Sequence, residues 1–230
     1  MLLAIDTATR YASVALLDAS GIVAEQSWRA GHNHSVQTLP VIASLLAQQG
    51  LSPQALTAVA VAKGPGSFTG LRIGMSLAKG ICLALGIPII GIPTLDVITY
   101  AVGDPGGPVI AVLEAGRKRL CVAPYTFADG WPRQAGELEL VHEDTWEPDA
   151  SAPILVAGEL SAAVVERLMA RPDADNIAIA SLAGSLRRAG YLAELAWNRL
   201  EDGQVDDLTQ LSPIYLHYPA SGTSSPETVP

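Results

Sequence analysis

Between Glu25 and Asp96 the chain carries no aspartate and no glutamate. A nuclease that holds two metal ions needs several convergent carboxylates. Asp6 is the only carboxylate on the central elements predicted for the first half, so that chemistry is not expected. Histidine is nearly as scarce. His32-Asn33-His34 offers two ligands where a structural zinc needs four and a catalytic zinc three plus water. His142 and His217 are distant, and no helical His-x-x-x-His pair exists, so no metal is expected. The only cysteines, Cys82 and Cys121, lie in apolar segments and give no disulfide framework. Basic residues are short as well: 14 Lys and Arg face 23 Asp and Glu, a net charge of −9, and no basic run exceeds 117–119. A chain that grips RNA unaided presents a basic face to the phosphates, so unaided nucleic-acid binding is not expected. Long apolar runs are missing too. The longest candidate, 80–95, is broken by Gly86, Pro88, Gly91 and Pro93, and it falls short of the ~18–20 residues a spanning helix needs. No basic residue precedes the apolar start and Asp6 follows almost at once, so no signal peptide is read. The expectation is a soluble cytoplasmic protein without membrane attachment.

What is present is apolar. Hydrophobic residues make up 49% of the 230 and charged residues 16%, with a mean hydropathy of +0.30. That is more apolar surface than one copy is expected to bury alone. The length suits one large domain or two small lobes. Apolar runs and alternation predict strands over 2–5, 11–17 and 22–28. Val36, Leu39, Ile42, Leu45 and Leu46 predict a helix over 35–49, kinked at Pro40. A strand over 58–62, a glycine-rich loop over 63–70, a long helix to 85, a strand over 88–90 and a helix over 94–102 follow. After a hinge at 104–108, strands are predicted at 109–113, 120–125, 137–141 and 154–157, then a helix at 160–169. A strand at 177–179 and a helix over 180–200 complete the series. The second half begins by repeating the order of the first. This predicts two related α/β lobes, 1–103 and a less regular 104–218, with 219–230 a tail too rich in Ser, Thr, Gly and Pro to fold.

The loop from Gly64 through Pro65, Gly66, Ser67, Phe68 and Thr69 to Gly70 leaves a strand and opens a helix. Free backbone amides and the helix dipole favour an anion there. The spacing is neither that of a Walker loop, since Leu71-Arg72 replaces Lys-Ser/Thr, nor that of a dinucleotide fingerprint. A tight structural turn with Ser67 or Thr69 as N-cap explains the same residues. On the following helix Gly70, Gly74 and Ala78 form a small-residue stripe. Helical glycine costs about 1 kcal/mol against alanine, so close approach by another helix is expected, of this chain or of a partner. Ile73, Leu77, Ile81 and Leu85, with Met75 and Cys82, leave that helix little polar face. Asp6-Thr7-Ala8-Thr9 sits where ATPases of the actin/Hsp70/sugar-kinase group place a phosphate loop, but Ala8 replaces the glycine that close phosphate approach requires. The corresponding place in the second half reads Leu113-Glu114-Ala115-Gly116. Both half-sites look eroded for phosphoryl transfer.

Taken together these residues resemble the bacterial TsaB (YeaZ) family. The resemblance is carried by 3–9, by His34-Ser35 and Leu39-Pro40, and most specifically by the run 62–74 continuing through Ala78-Lys79-Gly80 to 84–88. Pro213-Ile214-Tyr215-Leu216 is similar to the family's C-terminal signature. Where the family has an Asp-Ala-Arg-Arg-like stretch, this chain has Glu114-Ala115-Gly116-Arg117-Lys118. The resemblance implies a two-lobed actin/Hsp70/sugar-kinase-like (duplicated ribonuclease-H-like) fold with no catalytic residue of its own. It implies pairing with the catalytic paralogue TsaD, the ATPase TsaE joining them, a homodimer when alone, and tRNA met only through the complex. The modification is threonylcarbamoyl transfer to the adenosine beside the anticodon. Candidate anion or nucleotide contacts are Asp6, Thr7, Gly64, Gly66, Ser67 and Thr69, for ATP or ADP bound weakly or shared at an interface rather than tightly. Candidate partner contacts are Leu39, Ile42, Gly70, Gly74, Met75, Ala78 and Cys82. The competing readings are a small-molecule kinase using Asp6 for magnesium, a metalloprotease, and an orphan structural homodimer.

Overall fold

The computed structural model describes residues 1–215; Leu216 and the predicted tail lie outside the described residues. Leu2, Leu3, Ala4 and Ile5 are fully buried, so β1 (Leu2–Asp6) is a central strand covered on both faces. It pairs antiparallel with β2 (Tyr11–Asp18), which turns into β3 (Gly21–Arg29). On its other edge it runs parallel to β4 (Ala58–Gly64), which pairs with β5 (Ile89–Pro93). The order is β3-β2-β1-β4-β5. Alternation along β1 decides which helices cover which face. Leu3 and Ile5 pack with Ile42, Leu45 and Leu46 of α1 (His34–Gln48) and with Met75, Ala78 and Cys82 of α2 (Phe68–Leu85). Leu2 and Ala4 face Ala189, Leu192, Ala193 and Ala196 of α5 (Ala189–Glu201) on the opposite side. α1 continues through Pro40, and the Thr38 hydroxyl donates to the His34 carbonyl at 2.7 Å.

The second half repeats the plan. β6 (Val109–Glu114) is central, between antiparallel β7 (Arg119–Ala128) and parallel β10 (Ile154–Gly158). β8 (Trp131–Gln134) and β9 (Glu139–His142) both pair with β7, and β11 (Ile177–Ile179) extends the far edge. Read from its other edge, the order β8-β7-β6-β10-β11 follows β3-β2-β1-β4-β5 of the first sheet, with β9 an additional strand on β7. This is the duplicated ribonuclease-H-like arrangement that the pattern of elements predicts. α4 (Ala162–Met169) joins β10 to β11 and is capped by the Ser161 hydroxyl, which accepts from Val164 N. The counterpart of α1 is missing between β9 and β10, and buried Trp146 packs there with Val164 and Leu168 of α4. The two sheets separate at 104–108, but two helices cross that boundary. α3 (Thr94–Val102) packs Leu95 and Ile98 onto β6 and β7, while α5 serves the first sheet.

One strand was not predicted and one predicted helix is shortened. β8 escaped prediction because Pro132 and two polar residues fill a four-residue edge strand. The helix predicted over 180–200 begins only at Ala189. Before it, Ser181 and Ser185 spend their hydroxyls on the amides of Gly184 and Gly158, a local alternative to helix, and Arg187 turns inward. The helix α2 is, among the described residues, long and apolar enough by length and composition to cross a membrane. The run considered from sequence was a different one. Its stripe of Leu71, Gly74, Met75, Ala78 and Cys82 is buried in the chain, which commits that side of the helix to its own sheet.

Candidate functional site

Asp6 ends β1 and is buried. Its Oδ1 accepts from Ala8 N at 2.8 Å, fixing the turn, and its Oδ2 accepts from Arg187 Nε at 3.0 Å. Arg187 reaches in from the segment before α5. Its Nη1 donates to Glu159 Oε1 at 2.7 Å and its Nη2 to Thr9 Oγ1 at 2.6 Å, while Thr9 donates to Glu159 Oε1 at 2.6 Å. Glu159 directly follows β10 of the second sheet. One guanidinium therefore ties the ends of central strands from both sheets through charge-assisted bonds. Burial opposes its charge, but the Asp6 and Glu159 carboxylates outweigh that and hold Arg187 above the ordinary arginine value. The second sheet carries a partial echo. Glu114 ends β6 as Asp6 ends β1, and it pairs with Arg10 at the surface.

The glycine loop closes on this same turn. Ser67 N donates to the Ala8 carbonyl at 2.6 Å, and the Thr7 hydroxyl donates to the Gly70 carbonyl at 2.8 Å. Ser67 is the N-cap of α2, its hydroxyl accepting from Gly70 N at 3.2 Å, a bond worth about 1 kcal/mol. A Cβ at Gly66 would strike the Ala8 carbonyl, one at Gly70 the Thr7 carbonyl, and one at Gly74 the Thr7 hydroxyl. The stripe thus exists for close approach to the β1–β2 turn of this chain. Gly64 has a left-handed φ of 106° and is closed over by the Ile214 backbone, whose amide donates to the Lys63 carbonyl at 2.7 Å.

Of the seven residues expected at a partner surface, Ile42, Gly70, Gly74, Met75, Ala78 and Cys82 are buried inside this chain, and only Leu39 is open to solvent. Their burial has one cause. A helix packed on a sheet turns its smallest side inward, where backbone comes closest. Besides Leu39, at 53% exposure, the apolar residues facing outward are others: Val36 at 68%, Phe68 at 54% and Leu83 at 72%. A groove of about 450 Å³ runs between α1 and α2, lined by His34, Thr38, Leu39, Phe68, Arg72 and Leu77 among others. Burial holds the His34 imidazole below its ordinary value, against a hydrogen bond to the Thr9 backbone, and its Nδ1 finds no partner among the described residues.

The candidate nucleotide contacts are only partly gathered. A cleft of about 510 Å³ is lined by Gly66, Ser67, Phe68, Glu114, Arg119 and Tyr215 among others. Asp6 and Thr7 do not line it, Gly64 is covered, and Thr69 faces the groove between α1 and α2 instead. Magnesium held by Asp6 does not fit these residues, because the Arg187 cation already pairs with its Oδ2 and the Ala8 amide occupies its Oδ1. Phe68 walls both cavities. The Arg72 guanidinium lies 3.9 Å from its ring centre and donates through Nε to the Tyr215 hydroxyl at 2.9 Å. Among the described residues no three of His, Cys, Asp and Glu come together as metal ligands. Arg187 and Glu159 were missed by sequence reasoning. An arginine beside a second arginine, Arg188, reads as surface, and nothing local marks it as buried.

Comparison with known proteins gives consistent matches. The model of the family described as "TsaD: tRNA N6-adenosine threonylcarbamoyltransferase" matches residues 15–136. The tRNA threonylcarbamoyladenosine biosynthesis protein TsaB of Bacillus subtilis is 36% identical over 129 residues, 56% of this chain and 56% of that protein. Its namesake in Escherichia coli is 34% identical over 150 residues, 62% of this chain and 64% of that one. These matches thus span little more than half of the curated relatives' lengths. The solved structure of YeaZ from Pseudomonas aeruginosa superposes with a TM-score of 0.78 at 28% identity, covering 94% of this chain and 99% of that one.

Proposed function

We propose, because this chain belongs to the family of the tRNA N6-adenosine threonylcarbamoyltransferase TsaD and within it to the TsaB (YeaZ) group, that it is a non-catalytic partner subunit for threonylcarbamoyl transfer to tRNA. The carrying observation is the buried Asp6–Arg187–Glu159 bridge. In a two-lobed phosphotransferase the carboxylate at the end of the first strand must be free to handle magnesium. Here it is neutralised by an arginine anchored to the other sheet. A residual ATP or ADP contact, weak or shared with a partner, would fall on Gly66 and Ser67 at the cleft and would lack a metal-holding acid at Asp6.

The partner in this reading is the TsaD paralogue, met through the outward side of α1 and α2, where Val36, Leu39, Phe68 and Leu83 leave apolar surface uncovered. Alone, the chain would satisfy the same surface with a second copy. TsaE would join the pair, and tRNA would be held by the other subunits, since a net charge of −9 opposes phosphate binding. Such work is cytoplasmic. Co-expression with the TsaD paralogue of the same organism, followed by size exclusion with light scattering, tests the proposal. A stable mixed complex replacing a homodimer supports it. No complex at micromolar concentration, together with ATP turnover by this chain alone, overturns it in favour of a kinase.

A further inference from the structure

On the face of the first sheet opposite α1 and α2 lies a recess of about 300 Å³, where β8, α3 and α5 meet the β2–β3 turn. Three aromatic side chains, Tyr100, Trp131 and Trp197, wall it beside Leu17 and Ala19. Tyr100 and Trp131 stack, with ring centres 5.4 Å apart and an interplanar angle of 12°. Its polar lining includes three carboxylates, Asp18, Glu194 and Glu201, with no Lys, Arg or His among the lining residues. Glu194 accepts from the Tyr100 hydroxyl at 3.0 Å, and burial with that carboxylate pushes the phenol up to about 12, so the ring stays neutral. Asp18 already takes the Ser20 amide and hydroxyl. Glu201 makes no hydrogen bond or ion pair among the described residues and is exposed.

Indole and phenol faces carry negative quadrupole density and attract cations, tryptophan most strongly. Carboxylates at the rim add to the same potential. The neighbouring ring already shows the chemistry: the Arg188 guanidinium lies 5.7 Å from the centre of Tyr191, and Tyr191 meets Tyr100 edge-on at 6.0 Å. From this juxtaposition we infer that the recess is a binding site for a cationic side chain, an arginine or lysine carried on a basic segment of a partner protein. Charge complementarity selects that occupant, since an acidic or phosphorylated segment would meet three carboxylates. The site is independent of the α1–α2 surface, and both could be occupied at once.

The test uses the intact chain and N-acetyl-tetra-arginine amide as probe, at low salt, read by indole N–H shifts in NMR. The chain has four tryptophans, of which Trp28 and Trp146 lie away from the recess and serve as internal controls. The expected result is saturable binding with shifts confined to Trp131 and Trp197. Binding should weaken about tenfold in Trp197→Ala and about threefold in Glu201→Gln, and a tetra-glutamate peptide should have no effect. Glu201→Gln changes an exposed side chain and keeps the test valid where Trp197→Ala perturbs folding. Three results would overturn the inference: no saturation up to millimolar peptide, equal affinity in Glu201→Gln and wild type, or shifts spread to Trp28 and Trp146. The last two would mean general attraction to an acidic chain.

Discussion

Arg187 Nε lies 3.0 Å from Asp6 Oδ2, although 181 residues separate them. The bond closes a loop through both sheets, because the same guanidinium also holds Glu159 at the end of β10. Arg187→Ala would leave the buried Asp6 carboxylate and the partly buried Glu159 carboxylate without their shared cation. Breaking one partner out of a buried ion pair typically costs about 3–5 kcal/mol, and that loss is expected in urea unfolding. A variant within 1 kcal/mol of wild type would show that the cluster is solvated and that the lobes are held by their apolar contacts instead.

Asp6→Asn separates the structural role from a catalytic one. It removes the charge facing Arg187 but keeps an oxygen to accept from it, so stability should fall by about 1–3 kcal/mol. In a reconstituted assembly the modification of tRNA should persist, since Asp6 is not expected to hold a metal. Complete loss of product, with the complex intact by light scattering, would restore a chemical role to this carboxylate.

Gly74 faces the Thr7 hydroxyl so closely that a Cβ collides with it. Helix propensity alone would make Gly74→Ala about 1 kcal/mol stabilising; the collision should reverse that sign. In a Thr7→Ala background the obstructing oxygen is gone, although its bond to the Gly70 carbonyl goes with it. There Gly74→Ala should become neutral or stabilising. A double-mutant cycle measures the coupling, and additive effects would show that α2 shifts to accommodate the methyl.

Much of this architecture was legible in the residues themselves. The runs 2–5 and 58–62 announce strands because they are short, apolar and end at turn residues, and they form most of β1 and β4. The glycine stripe of α2 was also legible, but its direction was not. Small residues mark where backbones approach, and sequence cannot say whether the approaching backbone belongs to the same chain. Thr7 decides that here. Arg187 was invisible for a related reason: its partners come from β1 and β10, and only the tertiary fold brings those strand ends together. The long helix expected over 180–200 failed at the same spot, because drawing Arg187 inward needs extended backbone at Arg188, the N-cap of α5.

His34 supplies a pH dependence with a definite sign. Burial lowers its folded pKa below the ordinary histidine value of about 6.5. The unfolded chain therefore takes up the proton first as pH falls. Stability should be unaffected by this group above about pH 7 and should decline as pH drops below its unfolded value. His34→Gln should flatten that part of the stability profile, measured by urea unfolding between about pH 7.5 and about pH 5.5. An unchanged slope in the variant would assign the decline to other groups.

The outward side of α1 and α2 carries the last prediction. Leu39 and Leu83 are exposed on a surface whose inner residues already serve the core, so replacing them should leave folding within about 0.5 kcal/mol of wild type. An interface centred there would instead have to desolvate any charge placed at these positions. Leu39→Asp and Leu83→Asp should each weaken association with the TsaD paralogue by tenfold or more, roughly 1.4 kcal/mol, and should dissociate the homodimer in parallel. Light scattering across a dilution series gives both numbers from one preparation. If the mixed complex survives both substitutions at wild-type affinity, the exposed apolar residues are not its interface. Loss of the homodimer alone would mean that the two assemblies use different faces.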